Sequence, residues 1–251
     1  MDYFNKYRYV FMIVAVSVLA YEAATDGLGI ADPTLFPGLP KVAVALYESR
    51  ELLFQGILSS LGLLLPSYCL ALVVGITGGL TIGWHKTLRE NLAPLFHGIS
   101  PIPPNLYTPY AIALMPTFWL SSTSIIFIGC LWPILMSTIQ GVVLIEEKYL
   151  DNARTLGLKG FKLLRKIILP AALPLIFSGA GTSLIFSFIL LTVAEMFGVK
   201  SGLGFFVLYY ADFFDYARVL AGMLVMSLLI MCIMGLFSTI QRRMLFWTAK
   251  R

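Results

Sequence analysis

Residues 52–85 read LLFQGILSSLGLLLPSYCLALVVGITGGLTIGWH, and they include no Asp, Glu, Lys or Arg. A helix needs about 20 apolar residues to cross the hydrocarbon core of a bilayer. Three further runs lack charged residues, 91–145, 167–194 and 219–241, and the first of these is long enough for two spans. A shorter apolar run over 9–21 adds one more. The pattern predicts an all-α integral membrane protein with about six transmembrane helices.

The composition excludes a water-soluble globule. The chain has 251 residues, of which 59% are hydrophobic and only 12% are charged. That is too little polar surface to cover a globule of this size in water. We therefore expect the lipid bilayer to be the solvent of most of the chain.

The basic residues are distributed unevenly along the predicted bundle. The six predicted spans lie near 9–24, 58–83, 94–115, 123–142, 168–194 and 219–240. The loops on one side of them hold fourteen of the eighteen Lys and Arg residues. Because cytoplasmic loops are enriched in Lys and Arg, both termini are expected inside. This distribution also accounts for the net charge of +5, so we expect no nucleic acid as a partner.

The N-terminal run has an alternative interpretation. Lys6 and Arg8 precede the apolar residues, and Ala20 and Ala23 are small residues of the kind that precede a signal-peptide cleavage site. The pattern favours a helix that stays in the membrane, with a cleaved signal peptide as the alternative.

The loop between the fourth and fifth predicted spans is too long for a plain connection. Residues 146–170 read EEKYLDNARTLGLKGFKLLRKIILP, with apolar residues at helical spacing and basic residues between them. Gly157 and Gly160 separate the two halves, and glycine favours the positive backbone angles that end a helix. The pattern predicts two short amphipathic helices joined at a bend. A basic helix on anionic lipid and a docking helix for a partner protein both remain open at this point.

The same loop carries a resemblance to a known family. Asp151-Asn152-Ala153, three residues, Gly157 and a later Ile168-Leu169-Pro170 resemble the EAA loop of binding-protein-dependent ABC importer permeases. In the family, Glu stands at the position of Asp151 and Ala at that of Asn152.

Other strings extend the resemblance over about 39–245 and narrow it to the branch that imports nitrate, taurine and aliphatic sulfonates. These strings are Pro101-Ile102-Pro103-Pro104, Pro133-Ile134-Leu135, Arg154-Thr155-Leu156-Gly157, Ala194-Glu195-Met196-Phe197-Gly198 and Gly202-Leu203-Gly204. The segment 115–120, MPTFWL, departs from the Trp-Phe-Gly-Ile-Gly-like stretch of the relatives, near the outer mouth.

The resemblance implies a single multi-pass permease domain in the cell (inner or plasma) membrane over 1–251, with a core at 55–245 and a cytoplasmic coupling loop at 146–168. The implied partners are a cytoplasmic ABC ATPase dimer, a second permease chain expected to be an identical copy, and an extracytoplasmic substrate-binding protein. The ATPase-coupling residues that it implies are Leu150, Asp151, Asn152, Ala153, Leu156, Gly157, Phe161 and Pro170.

The fifth predicted span offers candidates for the solute pathway. Glu195 is a carboxylate at the end of a long apolar run, where an ionisable group indicates function. An outer-interface position, solvated or paired with Lys200, is the alternative. Ser183, Ser187 and Thr192 lie on the same helix as candidate lining residues, although hydroxyls on such helices often bond to their own backbone.

Enzymatic function is not expected. The sequence has no GxxxxGK[ST] string to bind nucleotide phosphates, so the resemblance implies that ATP is hydrolysed by a separate subunit. His85 and His97 have no GxSG-type partner for an intramembrane protease, and the three cysteines have no metal-site spacing. We expect no catalytic residue, metal or cofactor. A stand-alone channel or secondary transporter is the main alternative, and the transported substrate is not readable from the sequence.

Overall fold

The computed structural model describes residues 2–27, 32, 34–198 and 200–248, and every regular element in these ranges is helical. The α-helices are α1 (Asp2–Glu22), α2 (Leu39–Glu48), α3 (Arg50–Trp84), α4 (Lys86–Ile99), α5 (Thr108–Leu114), α6 (Phe118–Val143), α7 (Glu147–Thr155), α8 (Gly160–Leu163), α9 (Leu169–Gly198), α10 (Leu203–Asp212) and α11 (Tyr216–Met244). Short π-helical turns cover Ala23–Gly27 and Leu164–Ile168, and a 3₁₀ turn covers Pro104–Tyr107. The predicted all-α class is confirmed.

Four of the described helices are long and apolar enough to cross a membrane. They are α3, α6, the continuous helix Gly160–Met196 that joins α8 to most of α9, and α11. The first predicted span is a shorter apolar stretch, Met12–Thr25. The count of six spans therefore stays a prediction.

The third predicted span is not one helix. The span predicted near 94–115 is interrupted, because α4 ends at Ile99 and α5 begins only at Thr108. Pro101, Pro103 and Pro104 lie in this interval, and each lacks the backbone N–H that a continuing helix needs.

Small residues on α3 allow α6 to approach closely. A Cβ atom at Gly79 would lie 2.5 Å from the Cβ of Thr138, and one at Gly83 would lie 2.8 Å from the Cβ of Val142. Both distances are shorter than real contacts between carbon atoms, so the helices pack at this distance only because these positions are glycine. Small residues at such positions are typical of closely packed membrane helices.

The core lies where α3, α6 and α9 meet. It is formed by buried residues of these three helices, among them Leu63, Leu64, Ala71, Ile126, Cys130, Ile134, Leu184 and Leu191. A second cluster lies at the end of the bundle that carries α7 and comprises Val142, Ala153, Leu163, Ile168, Ala172 and Ile176. This second cluster holds the predicted coupling loop against the spans.

Candidate functional site

Helix α7 ends in a bend that glycine makes possible. Gly157 has φ +78°, its N–H donates to the carbonyl of Arg154 at 2.9 Å, and the N–H of Leu158 donates to the carbonyl of Ala153 at 3.0 Å. This pair of bonds around a left-handed glycine is a Schellman motif. Gly160 is also left-handed, with φ +53°. The predicted bend between two helical segments is confirmed, although the second segment continues directly into α9.

The loop is anchored to the spans through one face of α7. Ala153 is 3% exposed and belongs to the cluster with Leu163, Ile168 and Ala172. Leu150 is half-buried and packs against the same cluster. Because these contacts reach both the end of α6 and the beginning of α9, α7 is held by the helices on both sides of it.

Other apolar side chains of the loop are exposed. Leu156 is 80% exposed and Phe161 is 72% exposed. Tyr149, which the sequence did not single out as a coupling residue, is also exposed. The predicted coupling residues therefore divide into two groups. Leu156 and Phe161 are available to a partner, whereas Ala153 contacts the chain's own core.

Charged residues are exposed on the same loop. Asp151 accepts a hydrogen bond from Arg154 at 2.9 Å, and both side chains are largely exposed. Asp151 is the fifth residue of α7, and Glu147 occupies the first turn instead. Asp151 therefore lies in the middle of α7 and not at its start. The carboxylate of Glu146 accepts a hydrogen bond from the Lys148 ammonium and raises the pKa of Lys148.

The remaining predicted coupling residues lie nearby. Asn152 is exposed on α7. Pro170 is the second residue of α9 and follows the π-helical turn Leu164–Ile168. Proline is tolerated in the first turn of a helix because its missing N–H is not needed there. Here the helix continues through this point, and the wider π turn precedes it.

A cavity of about 600 Å³ separates α7 from the ends of α3 and α6. Its walls include Lys86, Arg89 and Arg154 together with Val142, Leu150 and Ile168. Arg89 donates a hydrogen bond to the carbonyl of Gly83 at the end of α3, at 2.8 Å. The loop is therefore packed against the long helices through Ala153, and a cavity lies next to this contact.

The hydroxyl residues predicted for the pathway lie in the interior of the single chain. Ser183 and Ser187 are 0% exposed. Ser183 donates across to the Cys130 carbonyl on α6 at 2.8 Å, whereas Ser187 donates to the Leu184 carbonyl on its own helix at 2.6 Å. Thr192 is half-buried and donates to the Phe188 carbonyl at 2.9 Å. Ser187 and Thr192 therefore bond to the backbone of their own helix, which was the alternative to a lining role.

Glu195 is fully buried near the C-terminal end of α9. It is 0% exposed, and it accepts hydrogen bonds from the Ser60 hydroxyl at 2.5 Å and from the Gly204 N–H at 2.7 Å. A solvated carboxylate, the alternative considered for this residue, is excluded by this burial. Ser60 was not predicted from the sequence, because a serine in an apolar span carries no signal by itself.

These features define a helical membrane protein with a bent amphipathic loop at one end of its bundle. Residues 51–246 match the family described as binding-protein-dependent transport system inner membrane component, and the chain belongs to this family.

Named relatives and a solved structure agree with this assignment. The chain is 34% identical over 157 residues to the bicarbonate transport system permease protein CmpB of Synechococcus elongatus, which covers 62% of this chain and 56% of that protein. It is 29% identical over 195 residues to the taurine transport system permease protein TauC of Escherichia coli, covering 78% and 71%. The matched region thus spans little more than half of the bicarbonate permease.

The fold resembles a chain of the inward-facing MetNI methionine ABC transporter. The TM-score is 0.65 at 18% sequence identity, and the similarity covers 78% of this chain and 98% of that one. At this level of identity the similarity shows the fold alone.

Proposed function

We propose that this chain is the transmembrane permease subunit of an ATP-driven ABC importer, and that a separate ATPase subunit hydrolyses the ATP. The observation that carries the proposal is that Leu156 and Phe161 are exposed on a charged loop which is anchored to the chain's own core through Ala153. Large apolar side chains exposed on a loop between the long apolar helices are candidates for burial against a partner protein.

The geometry of the loop suits the transmission of force. Ala153 packs on Leu163, Ile168 and Ala172, so a partner that moves α7 also moves the adjoining ends of α6 and α9. Closure of two ATPase subunits would bring two such loops together and tilt the attached helices. Rigid-body movement around a central pathway is a common way to alternate access from the two sides of a membrane.

The proposed assembly has three kinds of partner. They are a cytoplasmic ATPase dimer at the coupling loop, a second and identical permease chain along the pathway, and a substrate-binding protein on the outer side. We infer that both termini face the cytoplasm, which agrees with the concentration of Lys and Arg in the loops on one side. The coupling role is assigned to Leu150, Asp151, Asn152, Ala153, Leu156, Gly157, Phe161 and Pro170.

The proposed substrate is a small solute that carries an oxyanion group. The names of the relatives support this class, because one is a bicarbonate permease and another is a taurine permease. Nitrate and aliphatic sulfonates belong to the same chemical class. Ser183, Ser187, Thr192 and Glu195 were predicted to line the pathway or its gate. We propose instead that they shape the pathway from within the helix bundle, without direct contact with the solute.

The proposal is tested by purifying the tagged chain from native membranes in detergent and measuring ATPase activity in the eluate. We expect an ATPase to copurify with the wild-type chain and to be lost with Leu156→Asp. Phe246→Asp is the matched control, because Phe246 is a similarly exposed apolar residue near the end of the chain, outside the coupling loop.

The control variant should retain the ATPase. A wild-type chain that purifies alone and transports solute without ATP would refute the proposal in favour of a channel or secondary transporter.

A further inference from the structure

The carboxylate of Glu195 joins three helices. Glu195 lies on α9, its partner Ser60 lies on α3, and its second partner is the N–H of Gly204 in the first turn of α10. The Ser60 hydroxyl also accepts a hydrogen bond from the N–H of Leu203 at 3.0 Å. Both oxygens of the carboxylate are therefore engaged, and the hydroxyl serves as donor and acceptor at once.

These bonds replace the cap that α10 lacks locally. The N-cap residue of α10 is Gly202, which has no side chain to accept from the first N–H groups. Glu195 and Ser60 accept from two of those N–H groups instead. A carboxylate at this position is also favoured by the positive end of the helix dipole, which helps to offset the cost of burying it.

Gly202 allows the carboxylate to reach this position. A Cβ atom at Gly202 would lie 2.3 Å from Oε1 of Glu195, and the residue has φ +115°, where side chains are strained. A glycine is needed both for the backbone angle and for the space that the carboxylate fills. The contact is thus built by residues from three separate parts of the chain.

The helix that ends near Glu195 begins in the coupling loop. Gly160–Met196 is continuous over 37 residues, which corresponds to about 55 Å at 1.5 Å per residue. Its first turns belong to the cluster around Ala153, and its last turn carries Glu195. A single rod therefore connects the face that holds α7 with the residues that hold α10.

We propose that Glu195 and Ser60 form a clamp that fixes α10 to the outer end of this rod, so that a displacement of the coupling loop reaches the outer surface as one rigid movement. The clamp itself is inferred from the hydrogen bonds alone. The displacement of the coupling loop that the clamp would transmit rests on the proposed function. Glu195 and Ser60 are positioning residues in this scheme and do not contact the solute.

The clamp determines the position of an outer cavity. Helix α10 forms one wall of a cavity of about 360 Å³, with Phe205, Tyr209 and Tyr210, and α3 forms another with Leu52 and Gln55. Gly202, which contacts the Glu195 carboxylate, also lines this cavity. A shift of α9 would therefore move one wall of this cavity together with α10.

The clamp is tested first in the chain alone, in lipid nanodiscs, by measuring the distance between spin labels on α3 and α10. Leu65→Cys and Tyr209→Cys provide two exposed labelling positions, in a background with the exposed Cys69 and Cys232 replaced by serine. Dilution with unlabelled chains removes distances between copies. We expect a narrow distance distribution for the parent chain and a loss of the narrow peak for Glu195→Ala.

Two variants distinguish a clamp from simple packing. Glu195→Gln preserves size, an acceptor for the Gly204 N–H and a donor toward Ser60, so the narrow peak should return. Thr182→Ala on the same helix is the matched control, because its exposed hydroxyl bonds only to the Ser178 carbonyl. Ser60→Ala should broaden the distribution while Glu195 is kept. A narrow peak in both Glu195→Ala and Ser60→Ala would overturn the clamp. If Glu195→Ala misfolds, an unchanged narrow peak in Ser60→Ala would overturn it as well.

Transmission is tested in the complex with the ATPase. With a label at Tyr209 alone, ATP and vanadate should change the accessibility of the label to a water-soluble relaxation agent in the parent chain, Glu195→Gln and Thr182→Ala. Glu195→Ala should retain ATP hydrolysis and show roughly a tenfold smaller population of the shifted state, the factor expected when buried groups lose their partners. An undiminished change would overturn the inference. If no ATPase is recovered with the parent chain, the proposed function fails while the distance measurement still decides the clamp.

Discussion

Replacement of Gly157 should weaken ATPase binding through backbone strain alone. Gly157 has φ +78°, and a Cβ atom added there would meet no atom within 4 Å. A larger side chain therefore causes no clash, and its whole effect comes from the left-handed backbone. The two hydrogen bonds that end α7 depend on this conformation.

The size of the effect follows from the conformational cost. An L-residue other than glycine pays about 1–2 kcal/mol in the left-handed helical region, whereas asparagine visits it more readily. That cost corresponds to about a 5- to 30-fold lower population of the bent loop. A β-branched residue is worse still, because such residues are outliers at positive φ. We expect affinity for the ATPase to fall in the order Gly, Asn, Ala, Val at position 157.

The assay is the dissociation constant between the purified ATPase and each variant in nanodiscs, with Gly98→Ala as the control. Gly98 lies in α4, and a Cβ atom there would also meet nothing within 4 Å. Since Gly98 is helical, alanine causes no strain there and binding should be unchanged. Binding by Gly157→Val as tight as that of the wild type would show that the bend does not support docking.

Three further substitutions test the packing and the docking face. Gly79→Ala should lower the stability of the chain by about 1–3 kcal/mol, because its Cβ would collide with Thr138. Gly62→Ala is the control and should melt like the wild type, because a Cβ atom there meets open space. Equal melting temperatures of the two variants in detergent would contradict the packing of α3 on α6. Phe161→Asp should reduce recovery of the ATPase without changing the melting temperature, and full recovery would remove Phe161 from the interface. Arg218→Gln should destabilise the chain by less than about 1 kcal/mol in the same melting assay, because its ion pairs are partly exposed, and a larger loss would assign those pairs a structural role.

The coupling loop shows which structural features a local sequence pattern can predict. The helical spacing and the two glycines predicted a bend, since a left-handed turn is a local property of the backbone. The pattern did not predict which face of α7 is buried. Ala153 faces the core and Leu156 does not, because the ends of α6 and α9 cover only one side.

By itself, the sequence was sufficient to determine the all-α membrane class, the loop with its bend and the family resemblance, because uncharged runs, glycine positions and motif spacings are local. Only the tertiary structure decided that Ala153 rather than Leu156 packs on the core and how Glu195 is used. The partner of Glu195 is Ser60, 135 residues away in the chain. Such a contact depends on how α3, α9 and α10 pack together. A buried carboxylate is tolerated only where the packed helices provide donors for its hydrogen bonds.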